Sequence, residues 1–213
     1  MPAARRNPGN TYNLHAGYRV ECETSGLGAC LDAIPLLIRE AMTVLEAIDA
    51  RQSIRAYQSK PIEHEKLEAV LAAANRAASA ANLQAYQIYV VHDTARKQAL
   101  VAAAAGQKFL ATAPVVLVFA ADPARSVAKY GPRGDQVYCE QDTCAAVCNA
   151  MLAAVGLGLG TCWVDAVDAT LAGQAVGLPA GQRAIVILPL GYAAETPPRT
   201  TRRTLSDLVV DLS

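Results

Sequence analysis

The sequence predicts an α+β chain folded as a three-layer α/β/α sandwich. Helical and strand-like segments alternate from about residue 42 to the end, the pattern of a sheet covered by helices. Tyr86–Val91 is β-branched and aromatic, as a strand is, and Val115–Ala121 is continuously apolar, as a buried strand must be. The chain is 53% hydrophobic and 18% charged over 213 residues, enough to build a core without disulfide staples.

The elements follow in order. Composition shifts near residue 42. Ahead of it lie Gly, Asn, Pro, Arg and scattered aromatics, then the apolar patch 34–38. Residues 1–41 are therefore set apart as an N-terminal extension, and 42–213 as the folded domain. Thr43 with Glu46 forms a capping box, so a helix runs from there to about Ala50. Pro61 to Ala78 reads as a helix, with Pro in its first turn and Ile62, Leu67, Val70 and Leu71 on one face. The strand Tyr86–Val91 follows, then a helix over Thr94–Ala105 and the strand Val115–Ala121. Pro123, Gly131, Pro132 and Gly134 mark 122–135 as loop. Gln136–Val155 is a long, nearly all-apolar helix suited to the core or to a subunit interface. Thr161–Asp165 is a short strand, Asp168 caps a helix to about Val176, and Ala184–Leu190 is a strand closed by Gly191. The tail from Thr196 carries Pro197, Pro198, Arg199, Arg202 and Arg203.

Composition excludes several classes. Lys+Arg and Asp+Glu balance at 19 each, so no global basic field exists for nucleic acid or an anionic membrane. No apolar run reaches the roughly 20 residues of a membrane helix. The basic N-terminus has no apolar stretch behind it, so a secretory signal is not expected and cytoplasmic residence is. Six cysteines (22, 30, 139, 144, 148, 162) and three isolated histidines (15, 64, 92) lack the paired spacing of a zinc site. Cys144 and Cys148 share a helical face with Cys139 near it, but small buried helix residues account for them. Pairing of Cys22 with Cys30 is disfavoured in a reducing compartment.

Four segments could carry chemistry. Arg51-Gln52-Ser53-Ile54-Arg55-Ala56-Tyr57 places two guanidinium forks and a hydroxyl within five residues, matched to phosphate or carboxylate oxygens. By itself it also describes a solvated helix end. Ala78-Ser79-Ala80-Ala81-Asn82-Leu83-Gln84 offers small residues and amides that could read a heterocycle. It is equally an ordinary helix-ending turn with Asn left-handed. Gly156-Leu157-Gly158-Leu159-Gly160 ends a helix and leads into a strand, the reverse of a dinucleotide fingerprint, so it is a helix stop. The backbone at Asp165 and Ala166, just past that strand, could meet a ligand. Arg202 and Arg203 could clamp a phosphate or simply be a basic tail. The chain has no nucleophile elbow, P-loop, metalloprotease helix or kinase signature.

Taken together and in order, R-x-S-x-R-x-Y at 51–57, S-A-x-N-x-Q at 79–84, A-P-V-V-L-V at 113–118, G-L-G-L-G-T-C-W at 156–163, L-P-L-G-Y at 188–192 and R-R-x-L-x-D at 202–207 resemble the FMN-dependent nitroreductase family, its short members above all. The resemblance covers about residues 42–212. It implies a nitroreductase-like sandwich with a central mixed sheet, and a homodimer holding two FMN molecules in clefts lined by both chains. It implies that Arg51, Gln52 and Ser53 lie near the FMN phosphate and ribityl chain, with Arg202 and Arg203 closing on the phosphate. Arg55 would stand by flavin N1 and O2, where a cation favours the anionic reduced ring. Ala78, Ser79, Asn82 and Gln84 would come from the partner subunit, and the Asp165 and Ala166 backbone would face N5 and O4. No catalytic side chain and no metal is implied, because the flavin carries the chemistry. The implied activity is hydride transfer from NAD(P)H, in ping-pong fashion, to a nitroaromatic, quinone or other conjugated acceptor. A non-turnover flavin carrier, or a specialised member that cleaves flavin, dehalogenates or desaturates, stays open. The sequence departs from the family pattern at Gln52 (often Arg), Ala78 (often Pro), Ala85-Tyr86 (Pro-Trp) and Asp165-Ala166 (Gly-Gly). Residues 1–41 fall outside the resemblance, either wrapping the partner subunit or forming a loosely ordered extension.

Overall fold

The computed structural model describes residues 12–14, 18–20, 42–166 and 168–212. By its contacts the chain divides into two compact units, Met1–Ala41 and Met42–Ser213. In the first, β1 (Tyr12–Leu14) pairs antiparallel with β2 (Tyr18–Val20). The apolar patch 34–38, Cys22 and Cys30 lie outside the described residues.

The second unit opens with α1 (Val44–Ala50), where Thr43 and Glu46 close both halves of the expected capping box. Next come α2 (His64–Asn75), β3 (Tyr86–Val91), α3 (Thr94–Ala103), the short α4 (Phe109–Thr112) and β4 (Val115–Ala121). Then follow α5 (Ala124–Tyr130), a π-turn over Gly134–Tyr138 that runs into α6 (Cys139–Gly156), β5 (Gly160–Thr161) and β6 (Val164–Asp165). The unit ends with α7 (Ala169–Val176), β7 (Arg183–Gly191) and a single turn, α8 (Leu205–Leu208).

The sheet runs β3-β4-β7-β5, with β6 also on β7, and each of these pairs is antiparallel. The parallel element is a single bridge from Ser53 to Thr161. That bridge seats the Arg51–Arg55 segment at the sheet's edge. All seven residues of β4 are buried. Val116 and Val118 face one core with Leu100, Leu110, Ala172 and Ile187. Val115, Leu117 and Phe119 face the other, with Val70 and Ala74 of α2 and Val147, Ala150 and Ala154 of α6. Alternation along one strand thus feeds both helical layers.

Two expectations are corrected. Residues 122–135 are not a loop, because Ala124–Tyr130 is helical. Pro123 occupies its N-cap, where a missing N–H costs nothing, and Gly131 ends it at φ 55°. The expected strand 161–165 is interrupted at Cys162 and Trp163, although its register against β7 is the same on both sides. The reason lies opposite. Ala166 donates to the Ile185 carbonyl, so directly bonded pairs recur at every second residue from there. Cys162 then faces Pro189 at a bonded position, and Pro189 has no N–H to give.

Gly158, at φ 75°, stops α6. Leu159 N–H reaches the Ala154 carbonyl at 2.8 Å and Gly158 N–H the Val155 carbonyl at 2.9 Å, the paired bonds of a glycine helix stop.

Candidate functional site

The C-terminal turn of α1 leads directly into Arg51-Gln52-Ser53. Ile54 is buried, and its N–H donates to the Thr161 carbonyl at 2.9 Å. With Ile54 turned inward, its polar neighbours are presented outward. After β7 the chain doubles back along the same segment: Gln58 N–H donates to Tyr192 O and Ala194 N–H to Ala56 O, both at 2.9 Å. This return path carries Pro197, Pro198, Arg199 and Arg202 to face Arg51 and Arg55 across a cavity of about 750 Å3. Leu45, Ile48, Asp49, Gln52, Ser53 and Thr200 complete its lining.

The cavity is cationic. Arg199 is engaged, gripping Asp49 through two bonds of 2.8 Å. That bond holds the Asp49 carboxyl below the usual carboxylate range. Arg202 touches Thr200 Oγ1 at 2.8 Å and the Thr201 carbonyl at 3.2 Å, contacts that leave its charge uncompensated. No carboxylate pairs with Arg51 or Arg55 among the described residues. Beneath them Cys162 is buried, and burial pushes its thiol up against the opposing pull of Arg55, the Ser53 hydroxyl and Arg51. Gln52 Oε1 is buried with no hydrogen-bond partner, an acceptor awaiting a donor.

Arg51, Gln52, Ser53, Arg55 and Arg202 are thus brought together, from opposite ends of the folded unit. Arg203 is not among them, because it folds back onto the Asp207 carbonyl. Ala78, Ser79, Asn82 and Gln84 form a separate cluster. There the Ser79 hydroxyl accepts from Gln84 N–H at 3.1 Å, and Gln84 Nε2 donates to Asn82 O and Oδ1 at 2.8 and 2.9 Å. Ala81, Asn82 and Gln84 have φ of 49°, 58° and 46°, costly for residues with a Cβ. The buried carboxylate of Asp142 on α6 holds this turn, accepting from Ala80 N–H at 2.8 Å and Ala85 N–H at 3.3 Å. Asp165 and Ala166 are not in the cavity lining either. The Asp165 carboxylate accepts the Trp163 indole N–H at 2.8 Å, and Ala166 spends its own N–H on Ile185.

Asp49, Arg199, Glu195 and Asp142 were not predicted as site residues. Each acts through a partner 57 to 150 positions away, and no local motif encodes such a pairing. The Pro-Pro-Arg opening of the tail was the one available hint.

This arrangement has clear relatives. The family model described as the nitroreductase family matches residues 48–108 and 96–192. The chain belongs to the nitroreductase family. It is 49% identical over 84 residues to a Thermus thermophilus protein named NADH dehydrogenase, a match covering 38% of this chain and 41% of that one. It is 30% identical over 160 residues to the oxygen-insensitive NADPH nitroreductase of Salmonella typhimurium, covering 72% and 67%. It is 34% identical over 79 residues to the FMN reductase [NAD(P)H] of Bacillus subtilis, covering 37% and 32%. Among solved structures, nitroreductase A from Vibrio parahaemolyticus superposes with a TM-score of 0.72 at 27% identity, over 80% of this chain and 76% of that one. Among the described residues no helix is long and apolar enough to cross a membrane, and no group of three or more His, Cys, Asp or Glu residues is placed to hold a metal ion.

Proposed function

We propose that this nitroreductase-family chain is an NAD(P)H-dependent flavin oxidoreductase that binds FMN in the arginine-lined cavity. The observation that carries the reading is the convergence of Arg51, Arg55 and Arg202 on one cavity without a carboxylate assigned to any of them. A phosphomonoester dianion requires such a set, and guanidinium forks match its oxygens. The volume falls within the few hundred to about 1,000 Å3 typical of small-molecule sites. The orphaned Gln52 Oε1 fits a ligand that brings hydroxyl donors next to its phosphate, as the ribityl chain of FMN does.

Bound FMN supplies the ring that accepts a hydride from NAD(P)H and yields it to a nitroaromatic, quinone or other conjugated acceptor. The chain's own residues bind and orient. Arg51 and Arg202 clamp the phosphate from two walls, with Ser53 donating from the floor, and the cluster's charge screens the anion from Asp49. Arg55, further along the same segment, sets positive charge beside the ring.

A homodimer completes the site in this reading. Val44, Leu45 and Ile48 of α1 and Leu205, Val209 and Val210 of the tail are exposed apolar side chains. A second copy is the natural cover for exposed apolar side chains in this number. The Ala78–Gln84 turn, which is not part of its own chain's cavity lining, then serves as a wall of the partner's cleft. Residues 42–213 form the FMN-binding domain, residues 1–41 are an extension to it, and the protein works in the cytoplasm.

The test is spectroscopic and kinetic. The purified protein is yellow or takes up FMN, and NADH or NADPH bleaches the flavin bands anaerobically. A nitroaromatic then restores them, and double-reciprocal plots are parallel. Sedimentation gives twice the 22.4 kDa chain mass. A colourless protein that takes up no FMN ends this reading.

A further inference from the structure

We propose that Glu195 is a positioning residue that sets the spacing between the two arginine-bearing walls of the cavity. The inference rests on the FMN reading above and assigns a role to a residue that neither the motifs nor the cavity lining identifies.

Glu195 stands at the junction of the two walls. One of its carboxylate oxygens, Oε1, accepts the backbone N–H of Arg55 and, at 3.0 Å, that of Ala56. Those donors lie 140 and 139 positions away in sequence. Two residues after Glu195 the chain enters Pro197, Pro198 and Arg199, which line the opposite wall. Beyond the Ala194 N–H to Ala56 O bond, this one oxygen extends the tie between the two segments to the backbone that carries Arg55.

The surroundings make this tie effective. Glu195 is half-buried, where a charge-assisted bond to backbone N–H outweighs an exposed pair. The side-chain link nearer the cavity mouth, Arg199 with Asp49, lies in solvent with both side chains more than 60% exposed, where screening leaves little. Antiparallel contact between Tyr57 and Ala193 closes the far end. Glu195 is thus the anchor between that fixed end and the open cavity. The two prolines that follow it restrict φ and carry the constraint forward. Its charge strengthens the two bonds but also opposes the phosphate, so removing the charge alone changes FMN affinity little. What matters is an acceptor oxygen at that distance from the main chain.

The test separates reach from charge. Glu195→Gln keeps an acceptor oxygen in place and removes the charge. Glu195→Asp keeps the charge and withdraws the oxygen by one methylene. FMN release from each purified holoprotein is followed by recovery of flavin fluorescence on dilution, with riboflavin affinity measured in parallel. Glu195→Gln should bind FMN as tightly as wild type or more tightly. Glu195→Asp should bind FMN about tenfold more weakly, the scale of one lost bond to a charged group. Because the arginines hold the phosphate, Glu195→Asp should lose much less riboflavin affinity, so the ratio of FMN to riboflavin affinity falls. General damage to the fold would lower both ligands alike. Wild-type-like FMN binding by Glu195→Asp, a parallel loss of both ligands, or a loss in Glu195→Gln with Glu195→Asp intact overturns the assignment. Failure of the wild-type protein to bind FMN at all instead rejects the reading beneath it.

Discussion

Replacing Asp142 with Ala removes the buried carboxylate that holds the Ala78–Gln84 turn, leaving Arg125 Nε on the Leu83 carbonyl at 3.0 Å. Two backbone donors lose their acceptor: Ala80 N–H, bonded at 2.8 Å, and Ala85 N–H, bonded at 3.3 Å. Ala85 is fully buried, so water cannot replace the lost bond there. An orphaned buried donor costs about 1–3 kcal/mol, and Ala80, partly exposed, adds less. Recovering the hydration of a buried carboxylate offsets some of this. The net expectation is about 2–4 kcal/mol. At about 2–4 °C per kcal/mol for a domain of this size, the Tm falls by roughly 5–15 °C. Asp142→Asn keeps one acceptor and should lose about half as much. Thermal unfolding followed by circular dichroism measures both variants, and amide exchange should show faster opening at Ala80 and Ala85 than across β4. A Tm within about 2 °C of wild type for Asp142→Ala, or unchanged exchange at Ala85, would refute the reasoning.

Other expectations are independent of this one. Gly160→Ala would set a methyl carbon 2.8 Å from Ile54 Cγ1, forcing apart the Ser53–Thr161 bridge; a loss of about 1–3 kcal/mol is expected in denaturant titration, with weaker FMN binding. Glu63 accepts the Tyr192 hydroxyl at 2.5 Å, and this bond, ahead of Lys60, lowers its carboxyl from 4.5 to about 2. A depressed carboxyl stabilises above its unfolded value and loses that contribution as pH falls. The Tyr192–Glu63 link is accordingly intact above pH 4.5 and lost through about pH 2, and Tyr192→Phe should return the Glu63 carbon resonance toward an ordinary midpoint. Cys162, buried and with its thiol pushed up, should resist iodoacetamide until denaturant is added, as read by peptide mass spectrometry.

Much of this fold was legible because its signals are local. Thr43 and Glu46 mark the start of α1 by reciprocal bonds three residues apart, β3 is a β-branched and aromatic run, and β4 is an apolar run that only a buried strand accommodates. Where the signals misled, the same residue types served another purpose. Pro123 and Gly131 bracket a helix instead of interrupting one. The gap between β5 and β6 depends on Pro189, which is remote in sequence and opposite in space. The site divides in the same way. Arg51, Ser53 and Arg55 share a motif, and Arg202 follows from the tail. Asp49, Arg199 and Glu195 gain their roles only when the chain's end returns to α1, and no spacing within either segment records that meeting. Arg203, adjacent to Arg202, looked equivalent in sequence, yet the turn of α8 draws it back to Asp207.

The most direct measurement is a crystal structure of the protein saturated with FMN. The account predicts phosphate oxygens within about 3 Å of the guanidinium groups of both Arg51 and Arg202 of one chain, with the Ala78–Gln84 turn of a second chain against the ring. A phosphate bound elsewhere, with those two side chains still facing solvent, would contradict it.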